Sequence, residues 1–186
     1  MSNRQTAWEL SEHPPARAGT PGRILVADHD GMYLIKFVGD VRVNLCAAVD
    51  DFLAEMFRDE DFKSVLVDLT ATEGIDSTSL GILAKLSIKA SDLYGFVPTL
   101  VSTDPDITRI LRTVGFDDVF HIIEKPLEEE AQIAELPQGE SSIEDLRGRV
   151  LEAHRALMGL NESNREKFRD LVATLEAVEP SDRQRS

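Results

Sequence analysis

Three consecutive hydroxyls, Ser77, Thr78 and Ser79, follow Asp76 and lead into Leu80-Gly81. The apolar positions Leu80, Leu83, Leu86, Ile88 and Leu93 predict a helix that starts near Ser77 and stops before Gly95. The hydroxyls therefore stand where a loop enters a helix. The first backbone N–H groups of a helix lack internal partners and carry partial positive charge, so a capping oxygen or a phosphate is favoured there. Asp76 or Ser77 could act simply as that cap.

Other reactive residue types give no comparable constellation. His13, His29, His121 and His154 are far apart, without the short spacings of a zinc site, so surface or packing roles are expected and no metal. Cys46 precedes Ala47-Ala48 on an amphipathic stretch with no identifiable histidine partner, and is expected to be a small buried side chain. There is no Gly-x-Gly-x-x-Gly and no Gly-Lys-Ser/Thr, so no nucleotide or other cofactor is expected. Asp28, Asp30 and Gly31 fit a hairpin turn better than a calcium loop, and Asp50-Asp51 and Asp117-Asp118 read as solvated surface. With no Gly-x-Ser-x-Gly elbow and no His-Asp arrangement beside Ser77, the chain is not expected to be an enzyme.

The elements that must position the hydroxyls can be read from hydropathy. Ile24 to Ala27 and Met32 to Val38 form a hairpin around the Asp30-Gly31 turn signal. Leu45 to Phe57 carries apolar residues at spacings of three and four, a helix with Asn44 as the expected N-cap. Val65 to Leu69 lacks alternation and reads as a strand covered on both faces. After the helix at Ser77 come a strand, Val97 to Val101, a helix opened by Asp104-Pro105 and running to Gly115, and a last strand, Val119 to Ile123. The order β-β-α-β-α-β-α-β predicts a mixed sheet with helices mainly on one face.

Beyond Pro126 the composition turns acidic, and then two seams appear: Ile143, Leu146, Val150, Ala153, Leu157 and Leu160, followed out of phase by Phe168, Leu171, Leu175 and Val178. They predict a helical hairpin turning between Leu160 and Ser163, with capping boxes at Ser141/Glu144 and Ser163/Glu166 and Gly159 near the first helix's end. The hairpin could pack on its own domain, form a dimer through the C-terminal helices, or dock a regulator.

The 186 residues suit one domain with an appendage, and 42% hydrophobic content suffices for a packed core. A net charge of −14 argues against direct nucleic-acid binding and against an anionic membrane surface. A single cysteine, with no apolar run of signal-peptide or membrane-spanning length, points to a cytoplasmic location.

From about Ile24 to Ile123 the chain resembles the STAS domain of bacterial anti-sigma factor antagonists. The resemblance is carried by Phe37-Val38-Gly39-Asp40, the strand Val65 to Leu69, Ile75-Asp76-Ser77-Thr78-Ser79-Leu80-Gly81-Ile82-Leu83, and Ile110-Leu111-Arg112-Thr113-Val114-Gly115-Phe116-Asp117. In that family the motif is usually Asp-Ser-Ser/Thr-Gly/Ala-Leu-Gly and its first serine accepts phosphate, which corresponds here to Ser77. Ser79 departs from the usual glycine or alanine and, with Thr78, is an alternative phosphoacceptor. Arg42 stands where the family's Gly-Glu-Leu-Asp stretch often has its second acid, while Asp40 keeps the first. The resemblance implies partner binding through Asp40, Arg42, Glu73, Asp76, Ser77 and Thr78. It also implies a partner switch in transcription regulation. The unphosphorylated domain binds an anti-sigma factor with serine-kinase activity, phosphorylation releases it, and a serine/threonine phosphatase or response-regulator phosphatase resets it. A non-switching STAS scaffold subunit of a transport or signalling assembly is the alternative. The resulting division is a flexible leader (1–22), a STAS domain (23–125), an acidic linker or short helix (126–140), a helical hairpin (141–180) and a tail (181–186).

Overall fold

A computed structural model describes residues 19–127, 134–138 and 141–177. Trp8 and most of the segment read as a leader, Val178 of the second seam and the 181–186 tail lie outside those residues.

Asp30 and Gly31 have φ of 51° and 79°, the left-handed pair that a tight hairpin needs. They join β1 (Arg23–His29) to β2 (Met32–Val41) in antiparallel register, with Arg23 opposite Val38 and His29 opposite Met32. Along β2 burial alternates, with Ile35, Phe37, Gly39 and Val41 enclosed and Lys36, Val38 and Asp40 half-covered, so one sheet face carries the core. On the opposite face the parallel register puts Lys36 beside Asp68 of β3 (Ser64–Ile75), where Nζ meets the carboxylate at 3.0 Å. That partner accounts for an aspartate only 3% exposed in a central strand.

The sheet order is β5-β4-β3-β2-β1-β6, with β4 at Thr99–Val101 and β5 at His121–Ile123. The β2/β3, β3/β4 and β4/β5 pairs are parallel. The connecting helices are α1 (Cys46–Met56), α2 (Ser77–Tyr94) and α3 (Pro105–Thr113). Asp104 caps α3 through the Asp106 and Ile107 amides with Pro105 at the first turn, and Gly95 closes α2 at φ 69°. The expected mixed sheet and helical layer are therefore present. β6 (Ala134–Glu135) is an addition: within the stretch read as a linker or short helix, it pairs antiparallel with the free edge of β1. Two residues are too few to leave a periodic trace in sequence.

The appendage is a hairpin of α4 (Ile143–Leu160) and α5 (Glu162–Ala177). Its caps differ from those expected. Ser142, not Ser141, caps α4 by accepting from the Asp145 amide at 3.0 Å, while Gly159 lies next to the helix's last residue, Leu160, near the end as expected. Asn161 takes the place expected of Ser163 by accepting from the Asn164 amide at 2.8 Å. Ser142 is adjacent to Ser141 and offers the same spacing to an acid, while Asn161 stands two residues before Ser163.

α4 lies against α2, and Ala153, Leu157 and Phe168 join the same hydrophobic core as the sheet residues. Buried Asn164 ties the turn down by donating from Nδ2 to the carbonyls of Val114 and Leu157, both at 2.9 Å. The hairpin packs on its own domain.

Candidate functional site: the entrance of α2

Because β2 and β3 are parallel, their C-terminal ends emerge on the same side of the sheet, with Asp40 opposite Gly74 and Val41 opposite Ile75. This register brings Asp40, Arg42, Glu73 and Asp76 together from segments more than thirty residues apart.

Asp76 organises the site. Its Oδ1 accepts from the Ser79 amide at 2.8 Å, capping α2, and its Oδ2 accepts from the Val43 amide at 2.7 Å, while its own N–H donates to the Val41 carbonyl at 3.2 Å. Of the two candidate caps, Asp76 is the one used. The second bond also corrects the expectation for α1. Asn44 is not its N-cap; residues Val43–Leu45 form a 3-10 turn whose leading amide is satisfied from across the site by Asp76.

Arg42 pairs with Asp40, Nε to Oδ2 at 2.9 Å, so the departure from a second acid is balanced locally. Glu73 accepts from the Thr20 amide at 2.9 Å and from its hydroxyl at 2.6 Å, and these two bonds hold its carboxyl below the usual range. Residues 19–22, the last of the segment read as a leader, thus lie along the site, with Pro21 bridged to Asp40.

The three hydroxyls have different surroundings. Thr78 and Ser79 are 6% and 3% exposed, which places them poorly for a modifying enzyme or a partner. Ser77 is half-buried at the first position of α2. Its Oγ lies 2.9 Å from Nε2 of His154 on α4. The other ring nitrogen, Nδ1, is 2.7 Å from the Val150 carbonyl, which can only accept, so in the neutral ring Nε2 is left to accept from the Ser77 hydroxyl. His154 is itself 1% exposed, with its ring edge against Phe168.

Sequence reasoning did not connect His154 to Ser77. The available signal was Gly81. A glycine inside a helix costs about 0.5–1 kcal/mol relative to alanine, so it calls for a close neighbour. That neighbour is Ala153, whose carbonyl oxygen would lie 2.3 Å from a Cβ at position 81.

Asp50 is a further correction, while Asp51 is exposed as expected. Asp50 is not solvated surface: its side chain is 14% exposed and receives both Lys85 Nζ at 2.7 Å and Arg149 Nη1 at 3.1 Å. Burial pulls the Lys85 ammonium down, but Asp50 and Glu152 outweigh it and leave its pKa raised. Cys46 is buried as expected, and desolvation pushes its thiol up to about 12. Native protein should therefore resist a thiol reagent at pH 8, where almost no thiolate exists, and release one equivalent after unfolding. Rapid labelling of the folded chain would contradict this burial.

Residues 23–129 match the family model described as "STAS domain". The chain belongs to the STAS domain family. It is 27% identical over 99 residues to proteins named anti-sigma-F factor antagonist RsfB from two strains of Mycobacterium tuberculosis, CDC 1551 / Oshkosh and H37Rv. That similarity covers 53% of this chain and 79% of each relative. A crystal structure of an anti-sigma factor antagonist from Mycobacterium paratuberculosis matches with 26% identity and a TM-score of 0.48, covering 58% of this chain and 87% of that one. The STAS match ends before α4 begins. Among the described residues, no helix is long and apolar enough to cross a membrane.

Proposed function

We propose that this protein is an anti-sigma factor antagonist whose binding is controlled by phosphorylation of Ser77. Unphosphorylated, it binds an anti-sigma factor with serine-kinase activity and frees a sigma factor; phosphorylated, it lets that partner go. The observation carrying this reading is the position of Ser77 at the first turn of an Asp76-capped helix, beside a loop pair bearing Asp40, Arg42 and Glu73. The names of the curated relatives support the same role.

A phosphoserine adds about −1.5 to −2 charge. Here it would join Asp40, Glu73 and Asp76, with Arg42 already engaged by Asp40. Any interface closing over Ser77 would then bury uncompensated negative charge. Shifting a two-state equilibrium from 1:99 to 99:1 takes about 5.5 kcal/mol of differential affinity, which a buried dianion can supply. In this scheme the chain is substrate rather than catalyst, and the phosphatase, of the serine/threonine or response-regulator kind, is a separate protein.

The test is a phosphopeptide map of the protein from its own cells together with affinity capture. Phosphate should be found on Ser77, Ser77→Ala should hold the anti-sigma factor constitutively, and Ser77→Asp should hold it weakly. Equal capture by the two variants rejects the switch.

One observation favours a second reading. The Ser77 hydroxyl is bonded to His154 rather than free, as suits a non-switching scaffold in which α2 only packs. A map without phosphate on Ser77 under any growth condition would select that alternative.

A further inference from the structure

We propose that the α4–α5 hairpin is an intrachain occupant of the Ser77 surface, and that the docked hairpin and a phosphate on Ser77 exclude one another. The proposal rests on Ser77 as phosphoacceptor and assigns the hairpin as the element controlling access to it.

Room is the first argument. The space between Ser77 Oγ and His154 Nε2 is one hydrogen bond, 2.9 Å. The imidazole cannot readily turn aside: Nδ1 is held by the Val150 carbonyl at 2.7 Å, and the ring lies edge-on to Phe168 with centroids 5.2 Å apart. A phosphorus atom and three oxygens do not fit between them. One turn further along α2, Gly81 is so close to Ala153 that even a Cβ would meet its carbonyl oxygen at 2.3 Å. Along this line α4 can move away from α2 but not slide closer.

The fastening is the second argument. Part of it is polar: Lys85 bridges Asp50 and Glu152 at 2.7 and 2.9 Å, and Arg149 bridges Asp50 and Asp51 at 3.1 and 2.8 Å. The apolar share on the hairpin side is Ala153, Leu157 and Phe168 in the core, with Ala156, Met158 and Leu160 packed against it. Because α4 and α5 follow every other element along the chain and lie beyond the STAS match, the hairpin can leave as a unit while β1–β5 and α1–α3 stay folded, turning a local charge change into a two-state displacement.

In consequence, the docked hairpin limits a modifying enzyme's access to Ser77 while leaving the Asp40, Arg42 and Glu73 loops to the partner, and a phosphate once attached prevents the hairpin from closing again.

Hydrogen exchange of the full chain tests this, comparing unmodified protein with protein carrying phosphoserine at position 77 installed during synthesis. Backbone amides of α4 and α5 should exchange at least about tenfold faster in the phosphorylated chain, with β2 and β3 amides unchanged. Ser77→Ala, which removes the hydrogen bond without adding bulk, should keep the hairpin protected. Identical exchange with and without phosphate overturns the proposal. So does loss of protection throughout the sheet, which would make the phosphate a disruptor of the whole fold, and so does equal release by Ser77→Ala. No kinase is needed, so failure here leaves the switch itself to be judged by the phosphopeptide map.

Discussion

Asp76→Ala is expected to lower the unfolding free energy by about 2–3 kcal/mol, because one side chain satisfies amides in two elements. The capping bond to Ser79 is the ordinary part, with a typical cost near 1 kcal/mol when removed. The bond to Val43 is the unusual part. It joins α2 to the 3-10 turn before α1 across 33 positions of sequence, and its loss strands a half-buried amide at roughly 1–3 kcal/mol. Asp76→Asn separates the two. Asparagine caps helices about as well as aspartate, so a purely local cap predicts almost no loss. With its oxygen on the Ser79 amide, however, asparagine turns an NH₂ toward the Val43 amide, donor against donor. Urea unfolding should place Asp76→Asn below the parent by about 1–2 kcal/mol and Asp76→Ala lower still. Equal stability of parent and Asp76→Asn would refute the bridge.

Gly81→Ala gives the second large effect, and its sign carries the information. In an exposed helix interior the substitution stabilises by about 0.5–1 kcal/mol. With α4 docked, the new Cβ would lie 2.3 Å from the Ala153 carbonyl oxygen and 2.6 Å from its Cβ. Neither contact is the far end of a flexible side chain that could swing away. Overpacking of this kind typically costs about 1–3 kcal/mol, and for a chain of this size a loss of 1–2 kcal/mol lowers Tm by about 2–8 °C. Thermal unfolding that shows a raised Tm for Gly81→Ala would mean that the α2–α4 contact is not made as described.

These two positions illustrate different degrees of legibility. Asp76 was recognisable as a helix start because Asp-Ser-Thr-Ser before an apolar periodic run is a local pattern, and N-capping is local physics. Its second bond was not recognisable, since it depends on the parallel register that sets Val41 beside Ile75. Asn44 looked like the cap of α1 for the same local reason and lost to a carboxylate from a distant segment. Asp50 looked solvated because nothing nearby in sequence neutralises it; Lys85 and Arg149 arrive from two other helices.

Period, turn chemistry and motif order were enough to give the hairpin at Asp30-Gly31, the buried β3, the limits of α2, the Asp104-Pro105 opening of α3, the two C-terminal helices and the STAS resemblance, although Ile143 and Leu171 of the expected seams are exposed and Val172 is buried instead of Leu171. Apart from the resemblance, which joins motifs from Ile24 to Ile123, each depends on residues within about twenty positions of one another, where backbone geometry imposes a repeat that side chains must follow. Folding in three dimensions selected what no repeat encodes: the pairing of β6 with β1, the double use of Asp76, and the meeting of Ser77 with His154 across 77 residues. Such contacts follow from which faces are buried together once the chain has closed on itself, and a glycine facing an alanine is nearly all the trace they leave in one dimension.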